Sequence, residues 1–585
     1  MNHKEWLLAD KNIQYRTINA MIKEHIVSEG MRIKEGTRKV EIFLNDHLLS
    51  LKVARKSALK RYVFTGDIVL ENKKLSQSVE SLEELLQILT EIFHINISKR
   101  LYDELIHSRD SLYETYKHFY NRQTLIHQSM KFSKLPDSIN FIAWLQHLQD
   151  SGITDDLSYS ESLVIEGHPT HPLTKTKLPL STNELKLYAP EFEKVIPLNI
   201  MLIEKNHVVT TAINDDQNFI LNQVIPEYRD RLKCYLEPLR LNLNDYRVML
   251  IHPWQYDHTI GEQFEEWIAK KILLPTPFTV ESKATLSFRT MDLIHTPYHV
   301  KLPVNVQATS AVRTVSSVTT VDGPKLSHAL QGLLQEFPEL QVAMEPFGAY
   351  AHTASDLSKQ LALIIRQKPT IYDYGCTVVT ASLVNPNPID NQAVVDSYLK
   401  WIENEITLDH IKHFIAIYTQ TLVTPLIAYI QNYGMALEAH MQNTIVNLGP
   451  NYKMKFIVRD LGGSRIDLNT LKQKVPQIDV TNESLIADTI EEVIAKFQHA
   501  VIQNQLAELI HHFNQYDEVI EEELFEIVRE EIEIAIDNDK PHAEKLKKIL
   551  FGSTITVKAL LSMRMENKVK KYLNTKLDNP IKKEV

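Results

Sequence analysis

The chain contains four short stretches whose residue types and spacing could support chemistry. In the first, residues 166–175 (EGHPTHPLTK), His168 and His171 lie three apart and each precedes a proline. Proline restricts the residue before it to extended conformations, so we predict a rigid loop and not a helix. Two imidazoles and Lys175 on such a loop could hold phosphate or carboxylate oxygens, or a metal ion. A turn in which the histidines only cap the backbone is the structural alternative.

The second stretch predicts a basic surface on two paired strands. Polar and apolar residues alternate in residues 285–290 and again in 299–307, which is typical of half-buried strands. Residues 291–298 are short enough to join them as a hairpin. Pairing would place Ser287, Arg289 and Lys301 on one polar face. A solvated face normally mixes both signs of charge, whereas the ionisable residues here are only basic residues and histidine, which favours a site for a polyanion.

The third stretch follows at once, where Thr309 and Ser310 precede Arg313. The planar guanidinium of arginine suits bidentate capture of a carboxylate or a phosphate. An anion-binding role is therefore our interpretation of Arg313.

The fourth stretch predicts a hairpin that carries oxygen ligands. Glu438, His440 and Gln442 would share one face of a strand, residues 447–451 (NLGPN) indicate a turn, and the returning strand ends at Asp460. The hairpin would bring Asp460 close to Glu438 and to Asn443. Carboxylate and amide oxygens suit Mg²⁺. The alternative is a core hairpin with satisfied polar groups, but unpaired buried charge is costly.

The elements that must position these stretches divide the chain into three regions. Residues 1 to about 150 predict mainly helices, with a strand pair near residues 39–53 and helical spacing throughout 76–132. Short strands are predicted from about 160 to 380. From about 390 we predict further helices, at 412–433 (ending at Gly434), at 484–516 and, acidic and solvated, at 518–539. The lysine-rich last residues predict a solvated tail.

Composition limits the classes of function. The formal net charge of -10 gives no support for nucleic-acid binding, and two cysteines exclude a disulfide framework. We find no signal peptide and no apolar run of membrane-spanning length, so we expect a cytoplasmic protein with no membrane partner. Only 15 glycines occur, with neither a dinucleotide-binding nor a P-loop motif. A nucleotide phosphate would have to be held by side chains.

Taken in order, these stretches resemble the siderophore synthetases that are independent of nonribosomal peptide synthetases, the family typified by aerobactin synthetase. The matching segments are Gly167-His-Pro-x-His-Pro-x-x-Lys175, His252-Pro-x-Gln255, Ser287-x-Arg-Thr290, Lys301-Leu302, Thr309-Ser-x-x-Arg-Thr314, Glu438-Ala-His-x-Gln-Asn443 and Arg459-Asp460. Any one of them could arise by chance, whereas the ordered set is specific. The length of the chain is also similar to that of enzymes in the staphyloferrin pathways, with staphyloferrin B as the expected product.

The resemblance implies an α+β fold shaped like a hand. It implies a helical thumb at residues 1–155, β-rich fingers with the ATP-phosphate motifs at 156–385, and a mixed palm with the metal- and carboxylate-binding hairpin at 386–585. It also implies an enzyme that adenylates a polycarboxylate (citrate, a citryl derivative or 2-oxoglutarate) and joins it to an amine or hydroxyl, with release of AMP and pyrophosphate. A homodimer is expected.

The resemblance further implies roles for individual residues, with ATP and Mg²⁺ as cofactors. The ATP site would contain His168, His171, Ser287, Arg289, Thr290, Lys301 and Gln442. The carboxylate substrate would contact Thr309, Arg313 and His440. Mg²⁺ would be held by Glu438, Asn443 and Asp460. Catalysis would depend on Arg313, His440 and Lys301.

Two other enzyme classes stay open at this point. Asn443 and Asp460 after a hairpin are similar to the Mg²⁺ ligands of a kinase-like phosphotransferase, which would release ADP. His168 and His171 could belong to a His-metal hydrolase, although the chain lacks the H-E-x-x-H helix motif. A non-enzymatic binding protein fits less well, because so many polar groups are placed on predicted strand faces.

Overall fold

The N-terminal region of the computed structural model combines helices with an antiparallel sheet of five strands. The model describes residues 3–136, 138–333, 336–368, 375–517, 519–567 and 573–583. The sheet contains, in spatial order, β1 (Arg32–Glu35), β2 (Lys39–Leu44), β3 (His47–Ser57), β4 (Arg61–Glu71) and β5 (Ser76–Ser78). The helices are α1 (His3–Glu24), α2 (Leu82–Glu91), α3 (Lys99–Phe132) and α4 (Phe141–Asp150).

The predicted strand pair near residues 39–53 is confirmed as the β2–β3 hairpin, in which Leu44 pairs with His47. Helices make up most of the regular structure in this region, as predicted, but its sheet has five strands and not two, because β1 to β5 occupy much of residues 32–78. The prediction of helical spacing throughout 76–132 is wrong. β5 precedes α2, which begins where the Ser81 side chain accepts a hydrogen bond from the Glu84 backbone N–H, and residues 92–98 separate α2 from α3.

The middle region is built on a sheet of eight strands in the order β8-β16-β17-β12-β11-β10-β7-β9, and all its pairs are antiparallel. Its strands are β7 (Val195–Glu204), β8 (Val208–Ala212), β9 (Tyr246–Ile251), β10 (Leu273–Ala284), β11 (Thr290–Leu293), β12 (Tyr298–Lys301), β16 (Phe347–Ala351) and β17 (Ala362–Gln367). A smaller sheet joins β6 (Lys177–Leu178), β13 (Val304–Ala308) and β14 (Ala311–Arg313). The helices of this region are α5 (Asp156–Glu161), α6 (Thr182–Tyr188), α7 (Arg229–Leu236), α8 (Pro253–Gln255), α9 (Gly261–Gln263), α10 (Glu265–Ala269), α11 (Ser317–Leu330) and α12 (Ser355–Ser358).

The strand predicted at residues 285–290 is wrong. β10 ends at Ala284, and residues 285–289 form a turn closed by a hydrogen bond of 2.9 Å from the Thr285 N–H to the Thr290 carbonyl. The predicted pairing between the two segments is confirmed in part, because Thr290 is opposite Lys301 in the β11–β12 hairpin. The strand predicted at 299–307 is divided at Pro303, which has no N–H to donate to a ladder, so β12 and β13 belong to different sheets.

The C-terminal region surrounds the long helix α14 (Leu408–Tyr433), which ends at Gly434 in the left-handed conformation as predicted. Its other helices are α13 (Val394–Glu403), α15 (Leu468–Lys472), α16 (Ile490–Phe497), α17 (Ala507–Phe513), α18 (Ile520–Ala535), α19 (Ala543–Leu550) and α20 (Leu560–Met565). Its strands are β15 (Leu340–Val342), β18 (Cys376–Val379), β19 (Met435–Ala436), β20 (Thr444–Leu448), β21 (Met454–Val458), β22 (Arg465–Ile466), β23 (Thr554–Lys558) and β24 (Asn574–Asp578). Helix α14 has the length and apolar composition of a membrane span, but most of its apolar window is buried inside the fold, which is typical of a core helix.

Three predictions for this region need correction. The helix predicted over 484–516 begins at Ile490 and contains a π-helical stretch, Gln498–Leu506. Helix α18 is not a fully solvated helix, because its Leu524 and Val528 side chains are buried in the same core as α14. The described part of the lysine-rich C-terminal stretch, residues 573–583, is not a solvated tail, since β24 pairs with β23 and Ile581 is 1% exposed.

The three large hydrophobic cores each collect most of their residues from one region of the sequence, but two of them also contain residues from another region. Phe141 and Leu145 of α4 are fully buried in the core of the C-terminal region, although the predicted thumb included them. Leu561, near the C-terminus, packs into the core of the N-terminal region. The structure is an α+β fold, as expected. The division into thumb, fingers and palm stays a prediction.

Candidate active site

Asp460 lies at the centre of a group of charged side chains that are buried or half-buried. It follows β21, and its two carboxylate oxygens accept hydrogen bonds from Lys301 Nζ at 2.8 and 2.9 Å. A guanidinium nitrogen of Arg366 lies 3.6 Å from the same carboxylate. Burial alone would raise the pKa of the Asp460 carboxyl, but Lys301, Arg366 and Arg289 outweigh it and hold this pKa well below its usual range. Asp460 is therefore ionised.

Arg366 is a site residue that the sequence analysis missed. It lies on β17, opposite His299 of β12, and donates to Glu345 Oε1 at 2.9 Å. Both side chains are almost fully buried, and Glu345 Oε2 has no partner among the described residues. An arginine within the apolar run ALIIRQ was the available signal, because arginine is rarely buried without a specific reason.

The turn at residues 285–289 presents Arg289 to the same group. Arg289 donates to the Thr314 carbonyl, and burial together with the charge of Arg313 lowers its pKa to about 10. Ser287 lies in the turn itself, and the buried Thr290 hydroxyl has no hydrogen-bond partner within the described part of the chain. An unpartnered buried hydroxyl beside several cations fits contact with an anionic ligand.

Arg313 lies on β14 and has no carboxylate partner in the described ranges. Its guanidinium donates to the Ala308 carbonyl at 3.3 Å and to Thr309 Oγ1 at 3.4 Å. Burial lowers the pKa of Arg313, while the charges of Asp460 and Glu438 oppose this shift. The predicted pair Thr309 and Arg313 is therefore brought together near the two predicted metal carboxylates. No carboxylate in the described ranges directly contacts the Arg313 guanidinium to compensate its charge.

Glu438, His440 and Asn443 lie in a loop between β19 and β20, so the predicted strand face is wrong. The loop still brings them together. Asn443 Nδ2 donates to Glu438 Oε2 at 3.4 Å, and His440 Nε2 lies 3.9 Å from the same oxygen. The predicted hairpin is confirmed as β20–β21, in which Thr444 pairs with Val458.

Lys496 and Gly463 complete the surroundings of Glu438, and the sequence analysis assigned a role to neither. Lys496 of α16 forms an ion pair with Glu438. Gly463 leaves the space that the Glu438 side chain occupies, because a Cβ at this glycine would lie 1.9 Å from Glu438 Oε2. Gln442 contributes its carbonyl, which accepts from Arg459 at 2.9 Å, and a contact of its side chain with ATP stays a prediction.

The loop of residues 166–175 has the backbone caps of the structural alternative, and its role in binding phosphate stays a prediction. His168 Nδ1 and His171 Nδ1 cap backbone N–H groups, at 3.3 and 3.0 Å. Nε2 of the buried His171 has no partner among the residues described, and burial lowers the pKa of this imidazole to about 4, so it is neutral at pH 7. Burial, His171, Arg16 and then His440 lower the pKa of His168, which puts the loop near His440.

Lys175 does not contribute to a phosphate site. Its Nζ is buried and donates to the Val164 carbonyl at 3.1 Å and to Glu191 Oε1 at 3.0 Å. This pairing attaches the histidine loop to the short helical turn that contains Glu191.

Glu161, at the end of α5, connects two parts of the site, and no motif pointed to it. Its carboxylate forms a double contact with Arg459, and both side chains are 2% exposed. Glu161 Oε2 also accepts the Leu286 backbone N–H at 2.8 Å. One buried carboxylate thus holds both the turn that carries Arg289 and the residue before Asp460.

The donor atoms fit a magnesium site better than a zinc site. No group of three or more His, Cys, Asp or Glu side chains with metal-binding geometry occurs in the part of the chain described, so His168 and His171 lack the further ligands that a His-metal hydrolase needs. Glu438 and Asp460 each hold a lysine ammonium group. These carboxylates and the Asn443 amide are hard oxygen ligands of the type that Mg²⁺ prefers.

Comparison with known proteins gives close relatives over the whole chain. Over 585 residues, all of both chains, the protein is 64% identical to staphyloferrin A synthase of Staphylococcus aureus (strain NCTC 8325 / PS 47). It is 24% identical to D-ornithine–citrate ligase of the same organism, over 99% of this chain and 94% of that one. Staphyloferrin B synthase of that organism is 24% identical over 63% of this chain and 65% of its own length. The chain is therefore much more similar to the staphyloferrin A synthase than to the staphyloferrin B synthase, although staphyloferrin B was the expected product.

Solved structures show the same fold. The petrobactin biosynthesis protein AsbB from Bacillus anthracis str. Sterne superposes with a TM-score of 0.81 and 18% identity, over 99% of this chain and 96% of that chain. ATP-bound aerobactin synthetase IucA from a hypervirulent pathotype of Klebsiella pneumoniae gives a TM-score of 0.76 and 17% identity, over 98% of this chain and all of that chain.

Two family models match the chain. The IucA / IucC family matches residues 156–385, which include the histidine loop, the Arg289 turn and Arg313. A model described as ferric iron reductase FhuF-like transporter matches residues 412–573. With a relative 64% identical over its full length and these motifs in place, the chain belongs to the IucA/IucC family, the siderophore synthetases independent of nonribosomal peptide synthetases.

Proposed function

We propose that this protein is an ATP-dependent ligase that activates citrate, or a citrate-like polycarboxylate, as an acyl adenylate and joins it to an amine. The names of its relatives, a staphyloferrin A synthase and a citrate ligase, support this class of substrates. The ATP bound to the related aerobactin synthetase supports the use of ATP. The expected products are an amide, AMP and pyrophosphate.

One observation carries the proposal: the buried and half-buried group around Asp460 has more positive than negative charge. Four cations surround the carboxylates of Asp460 and Glu345: Lys301, Arg289, Arg313 and Arg366. The charges of Glu438 and Glu161 also act on Arg313 and Arg366, but these two carboxylates pair with two further cations, Lys496 and Arg459. Burying unpaired charge is costly, so such a group is expected to be stable mainly when an anionic ligand compensates it. A triphosphate and a polycarboxylate would supply the missing negative charge.

Two anions must approach each other in this reaction, so the main barrier comes from repulsion and misorientation. Lys301, Arg289 and Thr290 would hold the phosphates, with His168, His171, Ser287 and Gln442 beside them. Arg313, Thr309 and His440 would hold the acid. Fixing both partners raises their effective concentration, and preorganised cations stabilise the developing charge without reorganisation.

Glu438, Asn443 and Asp460 would hold Mg²⁺, which neutralises triphosphate charge when it is bound. Lys301 and Lys496 pair with these carboxylates in the structure and would have to share them with the metal. The acyl group would pass directly to the amine, and no cysteine nucleophile is required. We further propose a cytoplasmic homodimer that binds neither nucleic acid nor membrane.

The test is a matrix of acids and amines, incubated with ATP and Mg²⁺ and scored for pyrophosphate, AMP and product mass. The proposal predicts pyrophosphate only in wells that contain the right acid. In wells that also contain the right amine it predicts an amide, with AMP and pyrophosphate in amounts equal to it. ADP and inorganic phosphate in place of AMP and pyrophosphate would instead support the phosphotransferase.

A further inference from the structure

A polar cavity lies beside the histidine loop of the candidate active site and shares no residue with the predicted ATP, acid or metal sets. Its volume is about 250 Å³. It is formed where α1, β4, the histidine loop and the residues around the end of β23 meet. The lining includes Arg16, Lys23, Arg61, Glu166, Thr170 and Lys558.

Most charges in this cavity are already paired. Arg16 contacts Glu166 at 3.0 Å, and Arg61 forms an ion pair with Glu508. The carboxylate of Glu24, which also lines the cavity, accepts the Leu561 N–H at 3.0 Å and the Ser562 N–H at 2.7 Å. These carboxylates are therefore in use and are not available to a further cation.

Lys23 is the exception. It is half-buried on α1, and within the described ranges its ammonium group makes no hydrogen bond and no ion pair. Burial and the nearby charge of Arg61 lower its pKa to about 8, against the opposing charges of Glu508 and Glu24, so most of it is protonated at pH 7. A half-buried ammonium group without an acceptor is unfavourable, and a carboxylate on a ligand would satisfy it.

The position of the cavity connects it to the chemistry. Glu166 and Thr170 belong to the loop that carries His168 and His171. The charges of Lys23 and of His440 both lower the pKa of His168, so a cavity-lining group and a candidate active-site group both lie near this imidazole. The pKa of Lys558, which also lines the cavity, responds to Lys496 and Glu438.

We propose that this cavity binds the amine substrate, and that this amine carries at least one carboxylate, which pairs with Lys23. The inference rests on the proposed function and names the second substrate site. In the transfer step the amine nitrogen would form a bond to the acyl carbon. The bond from that carbon to the AMP oxygen would break, AMP would leave with the electron pair, and the nitrogen would lose one proton to solvent.

The experiment compares the full-length enzyme with Lys23→Gln, using ATP, Mg²⁺ and citrate. The probe amines are hydroxylamine and putrescine, which carry no carboxylate, ornithine, which carries one, and ornithine acylated once with citrate, which carries three. Wild-type kcat/KM is expected to be larger for the carboxylate-bearing amines than for putrescine. In Lys23→Gln the KM for those amines should rise about tenfold or more, the loss expected for one charged hydrogen bond.

Two measurements separate this proposal from its alternatives. Citrate-dependent exchange of labelled pyrophosphate into ATP and hydroxamate formation with hydroxylamine should stay within about twofold in Lys23→Gln, because neither needs the cavity. Lys23→Arg should recover part of the affinity for the amine. Lys11→Gln, on the same helix but paired with Asp67 at the surface, is the matched control and should behave like wild type.

The outcomes that would overturn the proposal are distinct from failure of the ligase function. A wild-type enzyme that prefers putrescine, or an unchanged amine KM in Lys23→Gln, would show that the cavity does not bind the carboxylate of the amine. If Lys23→Gln lowered the rates of pyrophosphate exchange and of acyl transfer equally, Lys23 would contribute to binding ATP or the acid, or to folding, and not to binding the amine. If the wild-type enzyme supported no citrate-dependent exchange with any nucleophile present, the proposed function itself would fail.

Discussion

Arg313 is the residue whose role can be tested most specifically. It lacks a carboxylate partner in the described structure, and its contacts are to a carbonyl and to Thr309. Arg313→Lys keeps the charge but loses the bidentate geometry. We expect kcat/KM for the acid to fall about ten- to a hundredfold, which corresponds to roughly 1.5–3 kcal/mol. The KM for ATP should change much less.

The control for Arg313→Lys is Arg529→Lys, a surface arginine on α18 that pairs with Glu526. Both variants should unfold at the same temperature as the wild type. A lowered midpoint with equal losses for ATP and acid would show that Arg313 supports the fold and does not bind the substrate.

Gly463 tests the placement of Glu438. A methyl group at Gly463 would overlap the Glu438 carboxylate, whereas the nearest atom to a methyl group at Gly462 is the Thr319 side chain at 3.0 Å. Gly463→Ala should therefore displace Glu438 and lower kcat about tenfold or more, with a higher Mg²⁺ requirement. Gly462→Ala should be milder. Titration of Mg²⁺ against rate measures both, and equal effects of the two variants would contradict the assignment of Glu438.

At the scale of elements, Glu161 determines how α5 holds the Arg289 turn and Arg459 together. Glu161→Gln keeps the size of the side chain but removes a buried charge, which should cost about 3 kcal/mol in the free energy of unfolding. Because the residues proposed to bind phosphate and those proposed to bind the metal would both shift, kcat should fall, and the KM for ATP should rise. Glu193→Gln, which removes a carboxylate paired with Arg122 at 2.9 Å, is the matched control for stability. Activity equal in the two variants at matched stability would exclude this positioning role.

The attachment of the histidine loop should depend on pH through Glu191. Burial would raise the pKa of this carboxyl, but Lys175 and Lys177 outweigh it and lower the pKa from 4.5 to about 2. Because the folded pKa is the lower one, this stabilisation is complete above pH 4.5 and is lost as pH falls toward 2. It amounts to about 3 kcal/mol.

Denaturant unfolding as a function of pH measures this contribution. Glu191→Gln should be less stable than wild type at pH 7, and the difference should shrink between pH 4.5 and 2. The control is Glu237→Gln at an exposed position. A difference that does not change with pH would refute the ionic attachment of the loop.

Elements were predictable where local chemistry defines them. The β20–β21 hairpin and the end of α14 followed from a Gly-Pro-Asn turn and from Gly434. Residues 285–289 were mistaken for a strand, because alternation of polar and apolar residues does not distinguish a strand from the tight turn at its end. Arg366 and Glu161 were missed because their partners Asp460 and Arg459 lie far away in sequence.

At the scale of the whole molecule, the sequence indicated an α+β fold but not which segments of the chain pack into each of the three hydrophobic cores. Leu561 packs in the core of the N-terminal region, and α4 packs in that of the C-terminal region. Such long-range packing leaves no local pattern. The candidate site depends on it, because the turn at residues 285–289, β17 and the end of β21 meet only in the folded protein.

The central claim is that the acid is activated as an acyl adenylate, and the path of a carboxylate oxygen tests it most directly. Citrate labelled with oxygen-18 in its carboxylates is incubated with ATP, Mg²⁺, the enzyme and the amine, and the products are analysed by mass spectrometry. In the reaction we propose, the carboxylate attacks the α-phosphorus, so each turnover should place one labelled oxygen in AMP and none in pyrophosphate. Label in inorganic phosphate, with ADP as the nucleotide product, would show an acyl phosphate and contradict the account.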